Sequence, residues 1–124
     1  VSAHIPAEHA DKQALLQARG VEIIQLPRGN NATVDLPALM QVLAQRGINE
    51  LHVEAGSHLN GALLEARCVD ELLLYMAPTV LGPGRDMFHI APLTSLSERY
   101  DFKLHDIQKI GREVRLQLRL ATTK

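Results

Sequence analysis

The stretch from Leu51 to Ala66, LHVEAGSHLNGALLEA, decides the fold of this 124-residue chain. Leu51–Ala55 reads as a short apolar strand, Gly56 as a sharp turn, and His58 to about Arg67 as a helix. A strand that turns straight into a helix leaves the first helical amides without partners. Those amides and the positive end of the helix dipole favour an anion, above all a phosphate. Gly56 has no Cβ to keep an anion away from the backbone. Ser57 offers a hydroxyl either to cap the helix or to meet a phosphate oxygen. Gly61 permits close packing against a ligand or the sheet. Glu54 is a carboxylate at the end of a strand, where open α/β sheets bind ligands. The residues alone fit two readings: a dinucleotide-phosphate site, or a glycine that only turns strand into helix beside a solvated or cap-bonding Glu54. The spacing is neither GxGxxG nor a Walker loop.

The rest of the chain supplies the context. Pro6 precedes Ala7–Arg19, a helical stretch stopped by Gly20, and Val21–Leu26 is short and β-branched, hence a strand. Arg28–Thr33 is a polar loop. Asp35 caps a second helix with Pro37 in its first turn and Leu36, Leu39, Met40 and Leu43 on one face, ended by Gly47. This alternation of strands and helices predicts parallel strands with helical crossovers. Val69–Ala77 is apolar on both faces, as a central strand is, and Pro78 ends it. Leu63, Leu64, Leu72, Leu74 and Met76 are assigned to the core. Gly82–Asp86 is a loop with Arg85 and Asp86 solvated, and Met87–Ser97 is irregular. Tyr100–Ile110 and Glu113–Leu120 flank Gly111-Arg112 as an antiparallel hairpin. The predicted class is therefore α/β, with parallel N-terminal αβ units and a C-terminal antiparallel hairpin.

Composition excludes several functions. The chain is 46% hydrophobic and 22% charged with a formal net charge of −1, so it is not disordered and has no basic nucleic-acid footprint. No apolar run reaches the roughly 18 residues of a membrane helix. A single cysteine, Cys68, cannot form an internal disulfide framework; it suits a reducing cytoplasm and packs as a small hydrophobe. His4, His9, His52, His58, His89 and His105 show no close ligand pair, so no metal site is assigned; His58 alone stands where it can meet a ligand. The chain opens on Val1 rather than Met, which reads as a piece cut from a longer polypeptide.

The runs Glu50–Leu64 (ELHVEAGSHLNGALL) and Val69–Pro78 (VDELLLYMAP), then Leu81-Gly82, Phe102-Lys103-Leu104 and the final hairpin, strongly resemble the reductase domain of bacterial bifunctional riboflavin-biosynthesis proteins, the RibD family. The resemblance spans essentially the whole chain. It implies a dihydrofolate-reductase-like sheet with flanking helices, residues 1–124 being the C-terminal portion of one reductase domain. It also implies NADPH-dependent reduction of 5-amino-6-(5-phosphoribosylamino)uracil, a pyrimidine ribosyl phosphate, to the ribitylamino product. Glu54 matches the family's substrate-contacting glutamate, and Gly56, Ser57, His58, Leu59, Asn60, Gly61 and Ala62 match its NADPH-binding turn. No metal or covalent nucleophile belongs to that reaction, and no catalytic residue maps onto these positions. The substrate-phosphate and catalytic residues of the family lie upstream of Val1, so the resemblance implies an inactive fragment. The zinc motif of the deaminase half, His-Ala-Glu with Pro-Cys-x-x-Cys, is absent. A homodimer or higher homo-oligomer is implied, without nucleic-acid or membrane partners. Another dihydrofolate-reductase-like enzyme and a non-catalytic dimerisation fragment are the alternatives. Ala55-Gly56 stands where many members have Gly-Gly, which raises the expectation of a cis peptide there.

Overall fold

The computed structural model describes residues 1–3, 5–27, 29 and 33–121. His4 and most of the Arg28–Thr33 loop lie outside the described residues. The chain divides into two compact units, Val1–Val53 and Glu54–Lys124.

The first unit holds a 3₁₀ turn, Ala7–His9, that runs into helix α1, Ala10–Ala18, and then helix α2, Leu36–Gln45. Asp35 caps α2 as its sequence predicts, its side chain accepting the Ala38 amide at 2.9 Å. Leu36, Leu39, Met40 and Leu43 are half-buried, giving α2 one inward face. Both helices end in a Schellman motif. In α1 the Val21 amide reaches the Leu16 carbonyl at 3.0 Å, and in α2 the Ile48 amide reaches Leu43 at 3.1 Å. The residue between helix and return, Gly20 or Gly47, has a φ of +79° or +80°, which glycine alone adopts without strain. Arg46 then reaches from the end of α2 to Glu22 in a two-pronged ion pair, each contact 2.7 Å.

Val21–Leu26 does not form the expected strand. It carries one parallel bridge, Gln25 with Ser2, made by Ser2 N–H to the Ile24 carbonyl at 2.9 Å and Leu26 N–H to the Ser2 carbonyl at 3.0 Å. Leu51–Ala55 likewise forms no strand among the described residues. The reason is common to both. A β-rich segment becomes a strand only through a hydrogen-bonding neighbour, and composition cannot supply one.

The second unit starts with helix α3, Ser57–Glu65, whose Leu63 and Leu64 are 6% and 4% exposed and form its buried centre. Its end repeats the Schellman pattern without glycine. Cys68 N–H meets the Leu63 carbonyl at 2.9 Å, and the left-handed position is Arg67, φ +56°. The Arg67 guanidinium lies 5.2 Å from the centre of the Tyr100 ring, a cation–π contact that offsets part of that strain.

Three strands follow: β1, Glu71–Met76; β2, Phe102–Ile110; and β3, Glu113–Leu120. They form an antiparallel sheet in the order β1-β3-β2. The expected hairpin is present, with Gly111 at φ +61° as the first of its two turn residues, the pattern of a type II′ turn. β3 stands in the middle, and Leu72, Leu74 and Met76 face its Leu118, Leu116 and Val114. In β2 the register slips between Leu104 and Asp106, making His105 the extra residue of a bulge. Without it, strict alternation would put Asp106 rather than Ile107 beside Leu104 on the apolar face. β1 is an edge strand of this sheet, not a central one, since β3 is its sole neighbour among the described residues. Leu72 and Leu74 are accordingly half-buried and Met76 is 53% exposed, short of the core expected for all three.

Glu71 pins the edge. Its carboxylate accepts Arg119 Nε across the ladder at 3.2 Å, and a bond from the Gln117 side chain, followed by the Arg119 contact, holds its pKa below the ordinary glutamate value. A depressed folded pKa contributes stability that is present above the unfolded pKa and lost as pH falls through the folded one. A carbon-detected NMR titration is therefore expected to give Glu71 a midpoint below that of a model glutamate, rising toward it in Gln117→Ala. An unchanged midpoint in the variant would show that Gln117 is not the cause.

Candidate functional site

The turn at Gly56 is an uncapped helix start. Gly56 is the N-cap, with φ −80° and ψ 170°, and no side chain caps α3. The Ala55–Gly56 peptide is trans, against the cis bond expected; no cis peptide occurs among the described residues. Extended backbone at Gly56 turns the chain without the roughly 2.5–4 kcal/mol a non-proline cis bond costs. Ser57 is the first helical residue rather than the cap. The first intrahelical bond runs from Asn60 N–H to the Gly56 carbonyl at 3.1 Å, so the amides before it belong to the unpaired first turn.

An open cleft of about 620 Å³ lies at this turn, lined by Ala55, Gly56, Ser57, His58, Leu59 and Asn60 on one side and by Arg85, Asp86 and Met87 on the other. Five of the seven residues expected to bind cofactor thus share one cleft. Gly61 and Ala62 do not line it, and neither does Glu54, which is exposed just before Ala55. A Cβ built on Gly56 meets nothing within 4 Å, whereas one built on Gly61 would overlap the His89 carbonyl oxygen and stand 2.7 Å from its carbon. The first glycine leaves space; the second is filled by a neighbouring backbone.

That neighbour belongs to the irregular stretch Met87–Ser97, which follows the Gly82–Asp86 loop. His89 N–H donates to the Ser57 carbonyl at 2.9 Å, and Asn60 Nδ2 donates to the Ala55 and Met87 carbonyls at 3.2 and 3.3 Å. Glu65 accepts the Ala91 amide at 3.0 Å, and the His58 and His89 rings stand 4.3 Å apart at a 49° tilt. These contacts bring Arg85 and Asp86, one charge of each sign, to a cleft that an uncapped helix start also lines. Arg85 and Asp86 are exposed, as expected; what the sequence does not give is their place on this cleft. The signal available was Gly82-Pro83-Gly84, a turn sequence placing two charges directly after a strand and its Pro78 stop.

Among the described residues no group of three or more His, Cys, Asp or Glu is placed to hold a metal, and no helix is long and apolar enough to cross a membrane. Cys68 is half-buried, with its Sγ 3.5 Å from the Ala66 carbonyl oxygen.

Comparison with known proteins gives the site its context. The family described as the RibD C-terminal domain matches residues 3–116. The riboflavin biosynthesis protein RibD of Haemophilus influenzae is 40% identical over 82 residues, 65% of this chain and 22% of that protein. The 5-amino-6-(5-phosphoribosylamino)uracil reductase of Buchnera aphidicola is 35% identical over 94 residues, covering 75% and 45% respectively. A solved structure of Acinetobacter baumannii RibD superimposes with a TM-score of 0.71 at 33% identity, over 87% of this chain and 29% of the other. The chain therefore spans less than half the length of each of these relatives.

The Gly61 contact predicts its own variant. Gly61→Ala is expected to destabilise the protein by about 1–3 kcal/mol, an overpacking cost, although alanine favours helices elsewhere. Urea unfolding measures this, and a neutral or stabilising Gly61→Ala would mean that the His89 backbone does not sit against α3.

Proposed function

The chain belongs to the RibD C-terminal domain family, and from that premise we propose that it forms the cofactor side of a reductase acting in riboflavin biosynthesis. The reaction is reduction of 5-amino-6-(5-phosphoribosylamino)uracil, the substrate in the name of the Buchnera relative, with NADPH as reductant. Residues 1–124 would then be the C-terminal portion of one reductase domain, with the substrate's phosphate held elsewhere in the polypeptide.

The observation that carries the reading is the Gly56 turn opening onto the cleft. The residues there fit a dinucleotide: an uncapped helix start supplies amides to a pyrophosphate, the missing Cβ of Gly56 leaves room for it, and Arg85 offers a counter-charge. When bound, NADPH supplies the hydride. The chain's own part is to bind and orient. The first turn of α3 fixes the phosphates, Leu59 and Met87 give apolar surface, and Glu54 lies one residue before the cleft wall to meet the substrate. Rate comes from holding two reactants at a productive distance rather than from a protein nucleophile.

Gly56→Val separates this reading from a purely structural turn. A Cβ at Gly56 has open space and an extended backbone, so the fold is expected to lose only about 1 kcal/mol at the cap. NADPH binding, followed by calorimetry on the protein at its full natural length, is expected to weaken by about tenfold or more. Equal affinity in wild type and variant would sink the phosphate-turn reading.

A second reading, assembly, rests on the sheet. Leu104 and Ile107, each 59% exposed, share a face with Val114, Leu116 and Leu118, an apolar surface suited to a second copy of the chain. Ile107→Asp is expected to shift a homodimer toward monomer in sedimentation. A dimer of unchanged strength would place the contact on another surface.

A further inference from the structure

We propose that Asn60 is a positioning residue of the cofactor cleft, whose carboxamide staples the glycine turn to the loop carrying Arg85 and Asp86. This rests on the reading of that cleft as the dinucleotide site. Asn60 is the fourth residue of α3, an element in which asparagine is a poor former because its side chain competes for nearby backbone groups. Here the competition is directed at two walls of one cleft. Nδ2 is 3.2 Å from the Ala55 carbonyl, before the turn, and 3.3 Å from the Met87 carbonyl, across the cleft. A carboxamide nitrogen carries two protons, so both are committed to backbone. Asn60 therefore acts on a ligand through the walls it holds.

Its place along the loop makes the staple decisive. Beyond Met87 the loop is fastened repeatedly: His89 N–H to the Ser57 carbonyl, the His89 backbone against Gly61, and Ala91 N–H to Glu65. Before Met87, no hydrogen bond joins residues 82–86 to α3 among the described residues. The Asn60–Met87 bond is thus the last tether before Arg85 and Asp86. Removing it frees the segment that carries the cleft's cation and makes the His89 amide the first anchor, open to fraying, while the Ala91–Glu65 bond holds the loop beyond it. A cleft whose opposite wall wanders must be ordered at each binding event, and that ordering reduces affinity for the cofactor without touching the hydride step.

Asn60→Ala and the isosteric Asn60→Asp test this in the protein at full natural length. Aspartate keeps the shape but sets a carboxylate against two carbonyl oxygens. Both variants are expected to speed hydrogen exchange at His89 while Phe102–Ile110 stays protected as in wild type. The KM for NADPH is expected to rise about tenfold with kcat within about twofold. Exchange that rises evenly through α3 and the sheet with KM unchanged would reduce Asn60 to a stability role and overturn the proposal. So would wild-type exchange and KM in both variants. If wild type itself shows no saturable NADPH binding, the cofactor reading fails first and takes the positioning role with it.

Discussion

The contact between Gly61 and the backbone of His89 is the constraint from which the site follows. A glycine inside a helix costs about 1 kcal/mol relative to alanine. The cost is offset here because no side chain fits between α3 and the loop. With the backbones that close, His89 N–H can reach the Ser57 carbonyl, the His58 and His89 rings meet, and Asn60 can span from Ala55 to Met87. A single methyl at position 61 would push the loop away and loosen all of these together. The cleft is a consequence of backbone proximity, not of charges attracting one another.

The sheet of the same unit obeys a different rule. β3 alternates Val114, Leu116, Leu118 and Leu120 with Arg115, Gln117 and Arg119, and both neighbours must match that period to share its apolar face. β1 does so directly, while β2 needs the His105 bulge to bring Leu104 and Ile107 to one side. The polar face is tied across the strands by Glu71 with Arg119 and Asp106 with Arg115. Much of the apolar face stays exposed, with Leu104 and Ile107 at 59% and Met76 at 53%. A surface of that kind asks for cover, which is what the assembly reading supplies.

What was legible in the sequence was local. Asp35 capping α2, Gly20 and Gly47 as stops, and Gly111-Arg112 as a hairpin turn are each decided within a few residues. The strands at Val21–Leu26 and Leu51–Ala55 were not decided this way, because a strand is a relation between segments: the first makes one bridge, to Ser2, and the second is not a strand among the described residues. The place of Arg85 and Asp86 on the cleft was hidden for the same reason. They are solvated, and about 30 residues separate them from the glycine turn, so only the loop's anchors show that the two meet. The cofactor itself was never in the periodicity; it entered with the resemblance of Glu50–Leu64 and Val69–Pro78 to a family.

The resemblance, in turn, treats Gly56 through Ala62 as one binding element, and the structure divides it. Gly56 to Asn60 line the cleft, while Gly61 and Ala62 do not. The two glycines show why a motif cannot make the distinction. At Gly56 the backbone is extended and a Cβ would meet nothing, so nothing in the described fold requires glycine there. At Gly61 the fold requires it outright. A glycine that the fold does not need, at the uncapped start of a helix and on the wall of a cleft, is the one whose selection calls for something outside the fold. That is what supports the proposal of a dinucleotide at Gly56, while the part Gly61 visibly plays is its contact with the His89 backbone.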